Sequence, residues 1–215
     1  MIYPNNLEIP YKIGVTATSD GFTKDTDIKR LERGIKHFKK LGYPVVETGN
    51  VRTDINGRSS DGVTRAKEFM DLVKDSDVRA IFAVSGGNYL VEMLPYLDYE
   101  LIRKNPTWIQ GYSDNTGLTF TITTNLDVAT IYGGNFSNFG MDKWHSSLED
   151  NIKILNGDNI SQKSFELFQD GFTEKITGLE GFKPTKKVEW ENIYPNDTQA
   201  DGIRMSGRAL GGNLD

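Results

Sequence analysis

The stretch that most constrains this chain is Val78-Arg79-Ala80-Ile81-Phe82-Ala83-Val84, apolar at every position but one. A half-exposed strand alternates apolar and polar residues. This run does not, and it fits a strand buried on both faces, as inside a parallel sheet. It breaks directly into Ser85-Gly86-Gly87-Asn88, a turn sequence. A parallel sheet needs crossovers, and the surrounding sequence supplies them.

Upstream, Tyr11 to Ala17 reads as a strand. Asp25 to Leu41 reads as a helix with Ile28, Leu31, Ile35, Phe38 and Leu41 on one face, stopped by Gly42. Tyr43 to Thr48 reads as a second short strand. Ser60 is placed to cap a helix that runs to about Lys74, with Ala66, Phe69, Met70 and Val73 inward. After Asn88 the pattern predicts a helix with Leu90, Val91 and Leu94 inward. Thr107 to Gly111 follows as a strand, and another helix starts at Ser113. A strand near Val128 to Tyr132 and a helix from Ser147 to Leu155 complete the series. This alternation predicts an α/β fold, a mostly parallel sheet with helices on both faces.

The pattern fades after residue 160. Residues 170–200 mix Gly, Pro, Thr, Lys and Asn without periodicity, and Ile203 to Leu214 resembles an opening strand. The expected organisation is an N-terminal α/β domain over 1–165, a linker over 166–202, and over 203–215 the start of a C-terminal β-rich domain that is cut off. A chain of 215 residues suits one large domain, or one domain plus part of a second.

Composition narrows the chemistry. A net charge of −5 disfavours a nucleic-acid or anionic-membrane partner. No apolar run approaches the roughly 18 residues of a membrane span, and Met1 to Asn6 lacks the basic-then-apolar pattern of a signal peptide. The expected location is therefore the cytoplasm. Cysteine is absent, which excludes disulfides, thiolate metal sites and cysteine nucleophiles, and there are only two histidines, His37 and His145. No metal site and no cofactor is expected; no G-x-G-x-x-G or P-loop motif occurs.

Two turns are candidates for chemistry. In Gly111-Tyr112-Ser113-Asp114-Asn115 a strand ends, a serine sits at the turn, and a helix begins. That is the arrangement of a nucleophile elbow, with backbone N–H groups at the helix start available to an oxyanion. The generic G-x-S-x-G would need glycine where Asn115 stands, and Ser113 as a plain helix cap is the competing reading. The second turn is Ser85-Gly86-Gly87-Asn88, whose glycines let backbone approach a ligand. Both turns are expected at the carboxyl edge of one parallel sheet, where ligands of open α/β folds bind. His37, among Lys36, Lys39 and Lys40, reads as a solvated surface residue, and His145, beside Trp144, as part of a packed loop.

Taken in order, Ser85-Gly86-Gly87-Asn88, Gly111-Tyr112-Ser113-Asp114, Tyr132-Gly133, Gly207-Arg208 and Gly211-Gly212-Asn213-Leu214 resemble the LD-carboxypeptidase and microcin C self-immunity family of serine peptidases. The resemblance implies that Ser113 is the nucleophile. It also implies an oxyanion hole made by the N–H of Asp114 and that of Gly86 or Gly87. The family's Glu and His follow the G-G-N-L motif, which here ends one residue before Asp215. The chain is thus expected to be the nucleophile-bearing part of the enzyme, folded but inactive alone.

Two amide substrates fit the resemblance: an aminoacyl or peptidyl nucleotide, as in self-immunity, and a murein tetrapeptide. Residues 133–142 and Trp190 resemble the immunity branch, in which Trp190 would stack a nucleobase and Asn88 would line the substrate cleft. The expected partner is a small peptide or peptidyl nucleotide, with the complete protein a homodimer. A non-catalytic ligand-binding module is the remaining alternative.

Overall fold

A computed structural model of the chain describes residues 1–189. The residues from 190 on, Trp190 and the 203–215 segment among them, lie outside the described part.

Five short strands form one sheet: β1 (Lys12–Thr16), β2 (Val45–Glu47), β3 (Val78–Ala83), β4 (Trp108–Gly111) and β5 (Ile131–Tyr132). All pair in parallel, in the order β2-β1-β3-β4-β5. The register runs across the centre as Val15 to Phe82 and Phe82 to Gln110. The order reverses between β1 and β3. There the loops leaving the two strands part in opposite directions and open a crevice at the carboxyl edge.

Helices α1 (Asp25–Lys40), α2 (Gly62–Lys74), α3 (Tyr99–Lys104), α4 (Thr116–Leu126) and α5 (Ser146–Leu155) cover both faces. Alternate residues of β3 divide between two cores. Ala80, Phe82 and Val84 face α1 and α5, in a core with Leu31, Phe38 and Leu148; Val78 and Ile81 face α2 and α4, with Phe69 and Leu118. This two-sided burial is why β3 carries no polar alternation. In the first core Phe38 is fully buried among Phe82, Phe136 and Phe139, at ring-centroid distances of 6.0, 5.4 and 5.1 Å.

Several local expectations shift. The cap of α2 is Asp61 rather than Ser60: its carboxylate accepts from Thr64 N–H at 2.8 Å. Residues Leu90–Tyr96 form a 3-10 helix instead of an α-helix, with Pro95 inside it. Three residues per turn bring Leu90 and Met93, both buried, onto one face and turn Val91 outward, 65% exposed. Leu41, just past α1, is also exposed, because Gly42 at φ +94 turns the chain before it can complete the apolar stripe. His37 is half-buried rather than fully solvated: its Nδ1 donates to the Phe139 carbonyl at 2.9 Å, Arg33 Nε donates to its Nε2, and the ring meets Trp144 edge-on. In the segment expected as connector, β6 (Leu167–Phe168) pairs antiparallel with β7 (Lys186–Lys187).

Candidate active site

Three loops converge at the carboxyl edge: Ala17 to Asp20 after β1, Ser85 to Asn88 after β3, and Tyr112 to Asn115 after β4. Ser113 opens a single 3-10 turn, Ser113–Asn115, that leads into α4. Its φ is +62, one of three positive values at non-glycine residues among those described. A left-handed serine costs on the order of 1–3 kcal/mol and persists only where its surroundings hold it.

Asn115 does the holding. Its side-chain amide, 1% exposed, donates to the Ser85 carbonyl at 2.8 Å, to the Tyr112 carbonyl at 3.1 Å and to Asn135 Oδ1 at 3.2 Å. Its own Oδ1 accepts from the Thr18 hydroxyl. Asn135 Oδ1 also accepts from Tyr112 N–H at 3.0 Å. One buried amide therefore ties together the ends of four strands. It also explains Gly111, since a Cβ there would stand 2.8 Å from Asn115 Cβ. The position where the generic motif has glycine is filled by a structural amide. Asn115 and Asn135 are the residues that reading the sequence missed; their partners are remote along the chain, and no local pattern marks them.

Ser113 faces the glycine turn. A Cβ on Gly86 would lie 3.2 Å from Ser113 Oγ and 3.8 Å from the backbone N of Asp114. Gly87, at φ +156, sits against Ser19 Oγ and Asp20 Oδ1, and a Cβ there would overlap both. Asp114 uses its carboxylate to accept from Leu90 N–H at 3.0 Å, locking the glycine turn to the serine turn. Ser113, Asp114, Gly86 and Gly87 are thus brought together.

Ser113 lies between two cavities. One, of about 440 Å³, has Ser85 to Gly87 on its floor and the 169–182 segment as its outer wall. Arg30 secures that wall: Nε donates to the Ser137 carbonyl at 2.8 Å, Nη1 to Gly178 at 3.1 Å and Nη2 to Glu180 at 2.9 Å. The other, of about 450 Å³, is lined by Leu90, Leu94, Gly117 and Phe120, with the exposed Asn88 at its margin. Neither histidine lines either cavity. His145 caps α5 through Ser147 N–H and packs against Phe165.

The electrostatics are uneven. Burial raises the Asp20 pKa, and the Asp54 and Asp114 carboxylates raise it further, against weaker opposition from Arg65 and the Ser19 hydroxyl. Glu180 is held at about 2 by hydrogen bonds from the Thr177 hydroxyl and from the backbone of Thr177 and Gly178.

Comparison with known proteins decides the family. A model of the LD-carboxypeptidase N-terminal domain matches residues 13–133, from β1 through the serine turn to the loop after β5. The chain belongs to the LD-carboxypeptidase family. Its family relatives include a putative carboxypeptidase of Vibrio cholerae, 30% identical across 100% of this chain and 63% of its own length. The microcin C7 self-immunity protein MccF of Escherichia coli is 32% identical across 97% of this chain and 61% of its own length. The chain thus spans under two thirds of the length of these relatives. Among solved structures, MccF in complex with aspartyl sulfamoyl adenosine superposes with a TM-score of 0.68 at 28% identity, covering 90% of this chain and 58% of that one. The family model ends at residue 133, so that match bears on the serine turn and its sheet rather than on the β6–β7 pair. No described helix is long and apolar enough to cross a membrane.

Proposed function

We propose that this chain carries the nucleophile of a serine amidase that cleaves the amide-type bond of an aminoacyl or peptidyl nucleotide, in the manner of self-immunity. The observation that carries it is the left-handed Ser113 at the strand-to-helix turn, with the Gly86-Gly87 turn across from its hydroxyl and the Asp114 backbone N beside it. In this reading Ser113 Oγ attacks the acyl carbon. The N–H groups of Asp114 and of Gly86 or Gly87 take the oxyanion. Collapse of the tetrahedral intermediate expels the nitrogen leaving group, which takes up the serine proton through a general base, and water then releases the acyl group.

Neither histidine lines a cavity at Ser113, so the reading takes the histidine of the triad, its general base, to lie outside residues 1–189. Without that base Ser113 stays protonated at neutral pH, and the chain alone is not expected to turn over. The self-immunity substrate is favoured by the likeness to MccF, whose structure in complex with aspartyl sulfamoyl adenosine matches 90% of this chain. Murein tetrapeptide is the second reading, supported by a likeness to a probable murein peptide carboxypeptidase of Bacillus subtilis, 25% identical across 74% of this chain.

The test uses the missing base. A fluorophosphonate should label Ser113 slowly, as located by peptide mass spectrometry, and added imidazole should raise the rate. Ser113→Ala should abolish the adduct. Labelling confined to other serines, with imidazole giving no acceleration at Ser113, overturns the assignment and favours a non-catalytic binding module. Calorimetry with an aminoacyl sulfamoyl adenosine and with an L,D-tetrapeptide then separates the two substrates.

A further inference from the structure

The cavity above Ser113 is lined by four charged residues, Asp20, Arg30, Lys175 and Glu180. Three have their charge committed. Arg30 donates to three carbonyls, Lys175 pairs with Asp27 at 2.8 Å, and the Glu180 carboxylate accepts from Thr177 and Gly178. Asp20 is answered only weakly, by the charge of Arg65 and by the Ser19 hydroxyl. Its Oδ1 is shut away from solvent and has no hydrogen-bond partner. Among the charges that act on it, Asp54 and Asp114 are of its own sign and weigh more than the opposing Arg65. Its nearest neighbours, Gly87 and Ser19, supply no charge. A partly buried acceptor left in this state is unfavourable unless something supplies a cation or donor.

Place matters as much as charge. A Cβ on Gly86 would meet Ser113, and one on Gly87 would meet Asp20. Carboxylate and hydroxyl therefore flank a single dipeptide, within the span of one small molecule. An aminoacyl group carries its α-ammonium on the carbon next to the one Ser113 would attack.

We infer that Asp20 is the specificity-determining acceptor for a protonated primary amine on the substrate, the free α-ammonium of the aminoacyl group. This rests on the amidase reading above and goes beyond it. The ammonium supplies the counter-charge that no residue of the cavity wall offers. It also shields the oxyanion that forms beside Gly86 and Gly87 from a bare carboxylate, so an acyl group without the amine forfeits both effects.

The test measures binding in the chain carrying Ser113→Ala, with and without Asp20→Asn. The ligands are alanyl sulfamoyl adenosine and its propionyl counterpart, which has hydrogen in place of the ammonium. With Asp20 present, loss of the ammonium should weaken binding about ten- to hundredfold, the range of a charge-assisted hydrogen bond. Asp20→Asn should weaken the alanyl ligand by a similar factor and leave the propionyl ligand unchanged. Equal affinity for the two ligands with Asp20 present overturns the inference while leaving the amidase reading intact. So does an equal loss for both on substitution, which would mark a structural role. Failure of both ligands to bind overturns the two together. Should Asp20→Asn not fold, the ligand pair on the Asp20 chain decides the question alone.

Discussion

The two sides of the sheet's centre are built on different physics. The face toward α1 is an aromatic core, Phe38, Phe82, Phe136 and Phe139, that excludes water and has no directional bonds to satisfy. The carboxyl edge a few residues away is a net of amides and hydroxyls, Thr18, Asn115 and Asn135, equally buried but held by hydrogen bonds. Burial of aromatic area supports stability wherever volumes match, and it tolerates small shifts. A buried amide is worth little net when satisfied and costs much when not, but it fixes geometry to tenths of an ångström. The molecule uses the first to stay folded and the second to hold one serine in a conformation it would otherwise leave.

That contrast is breakable. Phe38→Ala should have the largest effect on stability, about 3–5 kcal/mol by denaturant unfolding, as expected for a fully buried aromatic truncated to a methyl. The imidazole-stimulated labelling rate of the remaining folded protein should not change. A variant that unfolds no more easily than the parent would show that the aromatic face is not the main support.

Asn115→Ala should cost less, about 1–3 kcal/mol, since it strands the carbonyls of Ser85 and Tyr112 and the Thr18 hydroxyl. Its effect on Ser113 labelling should be the larger one, because the left-handed turn loses its anchor. Asn115→Gly restores the generic motif yet should do no better, for the amide and not the glycine fills this site. If either variant labels at the parent rate, the division between stabilising core and positioning net fails.

How much of this was legible follows the same division. Burial writes itself into local sequence: the unbroken run of β3 and the Ile28-Leu31-Ile35-Phe38 spacing of α1 mark their elements correctly. The glycine turn is legible because its backbone favours glycine at Gly87, and the serine turn because Gly111 and Ser113 stand where a strand gives way to a helix. The net is not, because Thr18 and Asn115 are 97 residues apart and only the fold makes them partners. Asn115 therefore looks like a defect in a motif. Where period alone served as guide it misled: Leu90–Tyr96 has apolar residues that suit an α-helix, but Pro95 contributes no N–H and the segment winds three residues per turn. His37 looks solvated beside three lysines because Phe139, which accepts its hydrogen bond, is 102 residues away.

His37→Ala sharpens the comparison on a smaller scale. The substitution removes two part-buried hydrogen bonds, to the Phe139 carbonyl and from Arg33 Nε, and an edge contact with Trp144. A loss of about 1 kcal/mol, or a fall in Tm of about 2–4 °C, is expected. Ser113 labelling should be untouched, since His37 lies in the surface hollow beside Trp144 and not at the serine. A tenfold slower adduct would place a base in this part of the chain after all.

The smallest effect concerns the outer wall of the Ser113 cavity, which belongs to neither region. Glu180 fastens the 177–180 turn by accepting from Thr177 and Gly178, and its carboxyl titrates at about 2, below the ordinary Glu value of 4.5. The folded form therefore binds this proton less readily than the unfolded form does. The contribution is complete above the ordinary Glu value, and it fades as pH falls from there toward about 2. The Glu180 side chain is only half-buried, so global stability should scarcely notice. What should change is local: amide hydrogen exchange at Thr177 and Gly178, corrected for the intrinsic pH dependence, should speed up below pH about 4. The amides of Asn115 and Tyr112 should keep their protection over the same range. Glu180→Gln should show the faster exchange already at neutral pH and lose the acid step. If protection at Thr177 and Gly178 stays flat down to pH 2, the Glu180 carboxylate is not what holds the wall, and the two donors of Arg30 that reach Gly178 and Glu180 suffice to hold it.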